Sequence, residues 1–468
     1  MKNNYQLTIA EASRALSDGT LSSEELVLSC LGRIESIDGN INAFVKMDRS
    51  NALKQARASD ERRQLGKQIG PLDGIPLGVK DIYDTAGLAT TCHSRILLEH
   101  VPTKDSEVVA RLRESGMIVV GKLATHEFAF GGPANDQAFP SARNPWNTEH
   151  FTGGSSSGSG AAVASGMVPV ALGSDTAGSI RMPAALCGVV GHKPTYDVLS
   201  RRGVFPLAWS LDHCGALTRT AEDAKIILKA MAGSDSLLYK SKAAEHPSPA
   251  NSFGDYNSLK GVRIAHVRHF YSSDIQSNEE VTTSISEKLQ LFREFGADVV
   301  DITLPSLWDY HACGLTILLS EAYSLHEKWL KTKWQLYSKT TRLRLACGAL
   351  ISADKYISAQ RMRRDLIEKT TTAMSGFHFM VTAGSPFPAP ELFSVPIYYW
   401  NDYPMITMPS NVTGQPSVVL PCGLSSNGLP LSLQMIGHHF DDINLLSYAS
   451  TIEKIMAYTN SFPDGTTS

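Results

Sequence analysis

The spacing of hydrophobic residues changes character along the chain. Over residues 8–60, apolar positions recur every three to four residues, which is the period of a helix with one buried face. Ser22 and Glu25 form a capping-box pattern at the start of one such face. That face consists of Leu26, Val27, Cys30, Leu31, Ile34 and Ile37. The pattern predicts that residues 1–60 form an N-terminal helical segment.

Short apolar runs replace this pattern further along the chain. They predict buried strands at 75–80, 117–120, 168–172, 262–267 and 298–303, and helices at 106–115 and 279–295. Strands that alternate with helices in this way indicate an α/β protein. The polar, turn-rich residues 241–258 are predicted to form a surface linker.

Composition and charge narrow the function class. The chain has 468 residues, 43% of them hydrophobic, and a net charge of -3, so nothing points to nucleic acid or an anionic membrane. The N-terminus lacks the apolar core of a secretory signal, and no apolar run is long enough to span a bilayer. The seven cysteines have no paired spacing, so neither structural zinc nor a disulfide framework is expected. We expect a cytoplasmic protein that acts on small molecules without a metal or cofactor.

Glycine and serine dominate residues 153–179. Glycine at this density lets the backbone turn tightly and approach a ligand. Successive N–H groups of Thr176, Ala177, Gly178 and Ser179 can point at one position and hold an oxyanion. A flexible linker is the competing interpretation. The apolar runs AAVASG and VPVAL inside the segment argue against it, because they are expected to pack.

A serine nucleophile needs a base that removes its proton. No histidine lies in the glycine-rich segment, and His192 is the first one that follows it. Lys80 ends the apolar run GIPLGVK, where burial would lower the pKa of the amine and let it act as a base. The alternative for Lys80 is a structural ion pair with Asp81 or Asp84.

Two short motifs suggest other chemistries and are rejected. Gly116–Leu123 matches most of a phosphate-binding loop, but its last residue is Leu where Ser or Thr would hold magnesium, and its interior is apolar. Gly154–Gly158 matches the nucleophile elbow of α/β-hydrolases, with Ser156 as the nucleophile. An elbow follows a strand directly, and the preceding NPWNTEHFTGG is not expected to form one.

Three motifs occur in order: GIPLGVKD, GGSSSGSG and GSDTAGSIRMPAALCGVVG. Ser155 follows Lys80 by 75 residues, and Ser179 follows Ser155 by 24. In this combination the sequence closely resembles the amidase signature family. The resemblance implies a single large α/β domain with a central mixed sheet covered by helices on both faces. It also implies that this domain spans 61–468 and that 235–405 form its variable, substrate-side region.

The resemblance assigns chemical roles by position. Ser179 is implied to be the nucleophile that forms an acyl-enzyme. Ser155 is implied to bridge the two other groups and to follow a cis peptide bond after Gly154. Lys80 is implied to be the neutral base that takes the proton through Ser155 and returns it to the leaving amine.

Further residues receive supporting roles from the same resemblance. The oxyanion hole is implied to consist of the N–H groups of Thr176, Ala177, Gly178 and Ser179. Asp175 and Arg181 are implied to orient this loop. Ala129 and Phe130, together with Ser155, are candidates for substrate contact, although core packing explains the first two equally well.

Three positions depart from the usual pattern. Ala177 replaces a glycine, but its N–H remains available. His192 stands where leucine is usual, and Asp197 stands where glycine is usual. The sequence assigns no role to either of the last two.

The implied function is hydrolysis of a carbon–nitrogen amide bond. The four tryptophans of residues 306–403 favour an aryl or other hydrophobic amide. The main alternative is the glutaminase subunit of a tRNA-dependent amidotransferase. Met182 argues against this alternative, because those subunits commonly have glutamine at that position. A non-catalytic binding protein and an esterase built on Ser156 are further alternatives. The expected partner is a small-molecule amide, and homodimers are common in similar proteins.

Overall fold

The computed structural model describes residues 3–233, 258–457 and 462–463. All but the last residue of the predicted linker 241–258 therefore lie outside the described residues, as do residues 235–257 of the predicted variable region. Within the described ranges the strands are β1 Phe44–Met47, β2 Pro76–Lys80, β3 Ile118–Leu123, β4 Arg143–Asn144, β5 Asn147–Phe151, β6 Val170–Asp175, β7 Val190–Lys193, β8 His213–Thr218, β9 Arg263–His266, β10 Asp298–Asp301, β11 Phe379–Ala383, β12 Ser417–Leu424 and β13 Pro430–Ile436.

Helices connect most of these strands. The described α-helices are Ile9–Ser17, Ser23–Ile41, Arg49–Gln64, Glu107–Glu114, Ser157–Ala164, Arg181–Cys187, Ala221–Ala232, His269–Ser272, Glu279–Glu294, Leu307–Thr332, Lys339–Ala346, Ala353–Ala373, Met408–Thr413 and Asp442–Met456. Short 3-10 helices lie at Asn4–Gln6, Glu127–Ala129, Trp334–Leu336, Cys347–Leu350 and Tyr399–Asn401. None of the described helices is long and apolar enough to cross a membrane.

Eleven of the described strands form one mixed sheet, in the order β1-β3-β2-β6-β8-β7-β12-β13-β11-β9-β10. The neighbours β3–β2–β6 and β11–β9–β10 are parallel, and the other pairs are antiparallel. β4 and β5 form a separate two-stranded sheet. The predicted α/β fold with a central mixed sheet is confirmed.

Both faces of the sheet are covered. In β6, Val170 and Leu172 belong to one apolar cluster, whereas Ala171 belongs to another. Successive side chains of a strand point to opposite faces, so the two clusters lie on opposite sides of the sheet. The Asp442–Met456 helix contributes to the first cluster and the Ser157–Ala164 helix to the second. Buried strands between two helical layers explain the continuous apolar runs of the sequence.

The N-terminal region differs from the sequence prediction at one place. The capping box is present, since the N–H of Glu25 donates to Ser22 Oγ at 3.1 Å and the N–H of Ser22 donates back to the Glu25 carboxylate at 2.8 Å. Asn42 then ends the helix with a left-handed φ of 56°. The prediction of helix throughout 8–60 was wrong at β1, which pairs with β3 at the edge of the sheet. A four-residue strand is too short to interrupt a helical period visibly.

Candidate active site

The carboxyl end of β2 brings Lys80 into the middle of the protein, where its side chain is fully buried. Its Nζ lies 2.8 Å from Ser155 Oγ, 2.9 Å from Ser156 Oγ and 2.8 Å from Ser174 Oγ. Ser174 lies on β6, next to β2 in the sheet, and the two other serines lie just before the Ser157–Ala164 helix. The Gly154–Ser155 peptide bond is cis, as the resemblance implies. Lys80 and Ser155 are thus in contact although 75 residues separate them.

Burial sets the charge state of Lys80. It lowers the pKa of the amine from 10.5 to about 7, although the negative charges of Asp175 and Asp212 act in the opposite direction. The alternative ion pair of Lys80 with Asp81 is not formed. Asp81 instead faces Lys122, with 3.6 Å between the carboxylate oxygen and Nζ. Lys80 therefore bonds to three hydroxyl groups, and its amine is neutral in a large fraction of molecules near pH 7.

The position of Lys122 also rules out a phosphate-binding loop at Gly116–Leu123. It lies on β3 with its side chain buried, and its Nζ donates to the carbonyl oxygen of Tyr83 at 2.6 Å and to Thr90 Oγ1 at 2.7 Å. A lysine held in this way cannot reach a nucleotide phosphate. The residues before it form a strand, not a loop, as predicted.

The loop after β6 is organised by one buried ion pair. Arg181 donates through Nε and Nη2 to the two carboxylate oxygens of Asp175, at 2.9 and 2.8 Å. Burial alone would raise the pKa of Asp175, but the adjacent guanidinium holds it well below its usual range. Arg181 also donates to the Thr407 carbonyl oxygen and to Gln434 Oε1, at 2.8 and 2.7 Å. These bonds fix both ends of the segment that carries Ser179.

The N–H groups of this loop are not equivalent. The N–H of Gly178 donates to Asp175 Oδ1 at 2.8 Å, so among the four predicted oxyanion donors it is the one that already has an acceptor. No acceptor for the N–H groups of Thr176, Ala177 and Ser179 is found among the described hydrogen bonds. Ala177 has an ordinary negative φ, which explains why a methyl group is tolerated where glycine is usual.

A cavity of about 340 Å³ opens beside these groups. Ser155, Ser179, Thr176 and Ala177 line it, and so do Ala129 and Phe130, the residues predicted to contact substrate. Most of the remaining wall is apolar or aromatic and includes Phe151, Met182, Leu186, Leu315, Phe387, Tyr399, Trp400 and Met405. The wall thus combines the hydroxyl groups of Ser155 and Ser179 and a few other polar side chains with a hydrophobic interior, which is the usual composition of a small-molecule site.

Ser155 and Ser156 have different surroundings. The hydroxyl of Ser156 donates to the carbonyl oxygen of Ser174 at 3.3 Å, and Ser156 does not line the cavity. Ser155 lines the cavity, and Lys80 is its hydroxyl's partner among the described hydrogen bonds. The segment NPWNTEHFTGG does contain a strand, β5, contrary to expectation. Loop residues still separate β5 from Ser156, so the geometry of a nucleophile elbow is absent there.

Comparison with known proteins identifies the family. The Amidase family matches residues 25–446, which is most of the chain. The chain belongs to the amidase signature family. The A-type subunit of glutamyl-tRNA(Gln) amidotransferase from Roseiflexus castenholzii is 35% identical to it, with 98% of each chain covered.

Two solved structures of amidase signature proteins extend the comparison. The A-type subunit of glutamyl-tRNA(Gln) amidotransferase from Thermotoga maritima is 32% identical and covers 97% of this chain and 96% of its own, with a TM-score of 0.78. The peptide amidase of Stenotrophomonas maltophilia is 28% identical and covers 98% of both chains, with a TM-score of 0.84. The chain therefore has full-length relatives both among amidotransferase subunits and among amidases.

Several residues of this candidate site were not found from the sequence. Ser174 contacts Lys80, and Thr407 donates through Oγ1 to the carbonyl oxygen of Ala177 at 2.5 Å. Arg344 and His126 line the cavity. Ser174 directly precedes Asp175 in the third motif, and His126 lies four residues before Phe130, so the sequence offered a signal for these two positions. The others lie in ordinary-looking segments and reach the site only through folding.

The two unassigned departures from the family pattern are now explained in part. His192 lies on β7, away from the cavity, and burial lowers its pKa to about 3, so it is a neutral core residue. Asp197 has a left-handed φ of 66° and pairs with Arg201 at 2.8 Å. Glycine is favoured at such a φ, and aspartate is one of the few other residues that tolerate it. No group of three or more His, Cys, Asp or Glu side chains within the described ranges is placed to hold a metal ion.

Proposed function

We propose that this protein hydrolyses a carbon–nitrogen amide bond through an acyl-enzyme on Ser179. The observation that carries the proposal is the 2.8 Å contact between the buried Lys80 amine and Ser155 Oγ, in a cavity that Ser179 also lines. A lysine whose pKa is lowered to about 7 by burial supplies a neutral base at physiological pH. The base and the hydroxyl groups needed for covalent catalysis are therefore present together.

The proton follows one path in both directions. As Ser179 Oγ attacks the amide carbon, its proton passes to Ser155, and the proton of Ser155 passes to the lone pair of Lys80 Nζ. The same path returns a proton to the leaving nitrogen, and the carbon–nitrogen bond breaks to release ammonia or an amine. Water then attacks the acyl-enzyme, giving a carboxylic acid and free Ser179. Ser156 supports this assignment, because its hydroxyl is occupied by the Ser174 carbonyl oxygen, whereas that of Ser155 can relay.

Charge on the tetrahedral intermediate needs donors that are already in place. We propose that the N–H groups of Ala177 and Ser179, with that of Thr176 beside them, provide these donors. Gly178 instead stabilises the loop through its bond to Asp175. Losing one oxyanion donor typically costs about a hundred- to a thousandfold in rate.

The cavity favours a substrate with an apolar or aromatic body. Phe130 stacks on Trp400 with ring centroids 5.8 Å apart and planes inclined by 9°. Both residues line the cavity, so Trp400 is the tryptophan of the aromatic region that forms its wall. We propose that Ala129 and Phe130 contact the substrate there and that residues 235–405 supply most of its specificity.

A second candidate function is the glutaminase subunit of a tRNA-dependent amidotransferase. The names of the relatives favour it, since curated proteins 34–36% identical over nearly their full length are named as A-type subunits of glutamyl-tRNA(Gln) amidotransferase. The cavity argues against free glutamine. No Asp or Glu is found among the described residues that line it, so a substrate ammonium group would be desolvated without a counter-charge.

One experiment, which compares two substrates and three forms of the protein, distinguishes the two candidate functions. Release of aniline from acyl anilides and of ammonia from L-glutamine is measured for the wild type, Ser179→Ala and Ser156→Ala. We expect anilide hydrolysis to exceed glutamine hydrolysis and to vanish in Ser179→Ala. In Ser156→Ala it should fall by at most about a hundredfold, because this variant loses the hydrogen bonds of Ser156 Oγ with Lys80 and Ser174 but keeps the proposed nucleophile and relay. Glutamine hydrolysis alone, activated by added partner subunits, would instead establish the amidotransferase function. Loss of activity in Ser156→Ala but not in Ser179→Ala would contradict the proposed nucleophile.

A further inference from the structure

A second cavity, of about 250 Å³, adjoins the substrate cavity that Ser155 and Ser179 line. Both cavities are lined by Ala129, Thr176 and Leu207, so these residues form a partition between them. A space of this volume has room for several water molecules where polar groups are present to bind them. The polar side chains in the rest of its wall are those of Ser174, Arg201, Asp212, His213 and Cys214.

The three hydroxyl groups around the Lys80 amine have different surroundings. Ser155 lines the substrate cavity, Ser174 lines the second cavity, and Ser156 lines neither. Lys80 is fully buried and lines neither cavity itself. The amine therefore reaches the substrate cavity through Ser155 and the second cavity through Ser174, whose Oγ lies 2.8 Å from Nζ. A hydroxyl accepts one hydrogen bond while it donates another, so each of these contacts can transmit a proton.

His213 supplies an unsatisfied acceptor in the wall of the second cavity. Its Nδ1 lies 2.7 Å from the carbonyl oxygen of Leu211 and 3.2 Å from that of Asp175, so Nδ1 carries the proton. Burial lowers the pKa of the ring well below 6.5, so the ring is neutral and Nε2 keeps its lone pair. No partner for Nε2 is found among the described residues, although His213 is only 4% exposed. A small donor in the cavity, such as water, would satisfy this atom.

The carboxylate of Asp212 is a second acceptor in this wall. It accepts a hydrogen bond from Thr176 Oγ1 at 2.7 Å and further bonds from two backbone N–H groups. Arg201 donates to the main-chain oxygen of Asp212 and forms its ion pair with Asp197, at 2.8 Å. Burial raises the pKa of Asp212 to about 6, so the carboxylate is mostly ionised near pH 7. Its charge favours a proton that passes through the cavity.

The other ionisable groups that act on Lys80 leave this picture unchanged. Burial raises the pKa of Cys92 well above its ordinary value and that of Cys214 to about 11, so both thiols are neutral near pH 7. The negative charges that act on Lys80 are therefore those of Asp175 and Asp212.

The second cavity reaches the surface of the protein. Trp209, in its wall, is 49% exposed, and the side chain of Arg201 is 27% exposed. The cavity therefore extends from Ser174, in contact with the buried amine, to residues in contact with solvent.

We propose that the second cavity holds a chain of water molecules that connects Ser174 with the solvent, so that Lys80 exchanges its proton while the substrate cavity is occupied. The proposal rests on the role of Lys80 as the base in the amide hydrolysis proposed above. The charged amine gives a proton to Ser174 Oγ as the hydroxyl proton of Ser174 passes to the adjacent water. The chain delivers one proton to a base in the solvent, and the amine is left neutral with Ser174 unchanged.

Each turnover creates a use for this route. Hydrolysis of an amide yields a carboxylic acid, and the usual pKa of about 4 for such an acid lies below the pKa of about 7 of Lys80. While the product occupies the substrate cavity, its proton moves through Ser155 to Lys80, which becomes charged. The second cavity lets Lys80 lose this proton before the product leaves, so the base is neutral when the next substrate binds.

The test compares two orders of mixing in a stopped-flow pH jump. In the first order, enzyme and an anilide are combined at about pH 5, where Lys80 is charged, and the complex is then brought to about pH 9. In the second order, enzyme alone is held at the lower pH and receives the anilide together with the alkaline buffer. The anilide is one whose complex, measured by displacement, outlives the mixing time by about tenfold or more.

The wild type should release aniline without a lag in both orders of mixing, because Lys80 loses its proton inside the complex. A lag in the first order alone, as long as the lifetime of the complex, would show that the proton leaves only through the empty substrate cavity. That result would overturn the proposal.

Variants locate the route. Ser174→Ala removes the connecting hydroxyl and should show a lag, equal to the lifetime of the complex, in the first order of mixing only. The matched control is Ser156→Ala, which removes another hydroxyl bonded to the same amine but lines neither cavity, and it should show no lag. If Ser174→Ala does not fold, Val204→Phe, which fills part of the second cavity, should show the same lag. A folded Ser174→Ala without a lag, or an equal lag in Ser156→Ala, would overturn the proposal.

A crystal structure of the wild type separates this proposal from the proposed function, because it needs no turnover. Ordered water molecules should lie within about 3.2 Å of Ser174 Oγ and of His213 Nε2. Such a chain in a protein that hydrolyses no amide would refute the function and keep the second cavity as a solvent site. Amide hydrolysis by a protein whose second cavity is dry would refute the route and keep the function.

Discussion

At the scale of single residues, the site depends on the environment of one amine. Lys80 is surrounded by three hydroxyl oxygens and by no carboxylate within hydrogen-bond distance among the described contacts. Lys122, on the adjacent strand, is equally buried but faces Asp81. Burial lowers the pKa of both amines, but the adjacent carboxylate of Asp81 opposes this effect at Lys122, whereas no carboxylate lies within hydrogen-bond distance of Lys80.

The titration of Lys80 should control activity. With a pKa of about 7, the amine is protonated and unable to accept a proton below that pH, and neutral above it. We expect kcat/KM to rise with pH through about 7 and to level off, and Lys80→Met to lose about a hundred- to ten-thousandfold in rate. A pH–rate profile on an anilide substrate checks this. A flat profile between about pH 5 and 9, or a variant with wild-type turnover, would contradict the role of Lys80.

The sequence could predict these residues only in part. Lys80, Ser155 and Ser179 lie in motifs whose order and spacing carry the resemblance to the family, and the described fold brings Lys80 and Ser155 into contact. Arg344 and Thr407 carry no comparable pattern. Their contacts with Phe130 and Ala177 join segments more than 200 residues apart, and a local pattern contains no information on such pairs.

At the scale of elements, the segment between β6 and the Arg181–Cys187 helix positions Ser179, the proposed nucleophile. The Asp175 carboxylate accepts bonds from the N–H groups of Gly178 and Ile180, at 2.8 and 3.2 Å, as well as from Arg181. One side chain therefore fixes the backbone on both sides of Ser179. The loop is rigid because a buried charge pair and several N–H groups share the same two oxygens.

Removing this charge should destabilise the fold. Asp175→Asn leaves the fully buried guanidinium of Arg181 without a counter-charge, and breaking such a pair typically costs about 3–5 kcal/mol. Asp197→Asn is the matched control, because its ion pair with Arg201 is half exposed and contributes about 0–1 kcal/mol. Urea unfolding curves measure both. Equal stability of Asp175→Asn and Asp197→Asn would contradict the structural role given to Asp175.

Gly178 should not tolerate a side chain. Its φ is +124°, and a Cβ would lie 2.2 Å from Thr407 Oγ1, so an alanine must shift the loop that carries Ser179. We expect Gly178→Ala to lose about a hundredfold in kcat, since small displacements of reacting groups have effects of that size. Gly32→Ala is the control, because no atom lies within 4 Å of its Cβ position. Turnover of Gly178→Ala at the rate of Gly32→Ala would show that the loop geometry is not needed.

Helices and strands could be predicted from the sequence where the hydrophobic period extends over many residues or where a run of residues is uniformly apolar. The predicted unit at 262–303 is confirmed as β9, the Glu279–Glu294 helix and β10, with the two strands parallel. β1 was missed, because its four residues pair at the edge of the sheet and only one face of the strand needs to be apolar. The order of the strands across the sheet could not be predicted from any local sequence pattern.

At the scale of the whole molecule, the cavity is built from distant parts of the chain. One wall comes from residues 126–207 and includes parts of the glycine-rich segment. The other comes from residues 315–407, where Arg344, Tyr399 and Trp400 lie. The sheet and its helices hold these walls together, so the proposed catalytic groups lie in the first wall, whereas most of the groups proposed to select a substrate lie in the second. Relatives with one catalytic machinery and different substrates are the expected result of such a division.

The most direct test of the central claim is the site and pH dependence of covalent labelling by a fluorophosphonate. Mass spectrometry of the digested adduct should place the label on Ser179, and the labelling rate should rise through a pKa of about 7 in the wild type. In Lys80→Met the rate should drop and this dependence should disappear. A label on Ser156, or a rate that is the same with and without the Lys80 amine, would contradict the account.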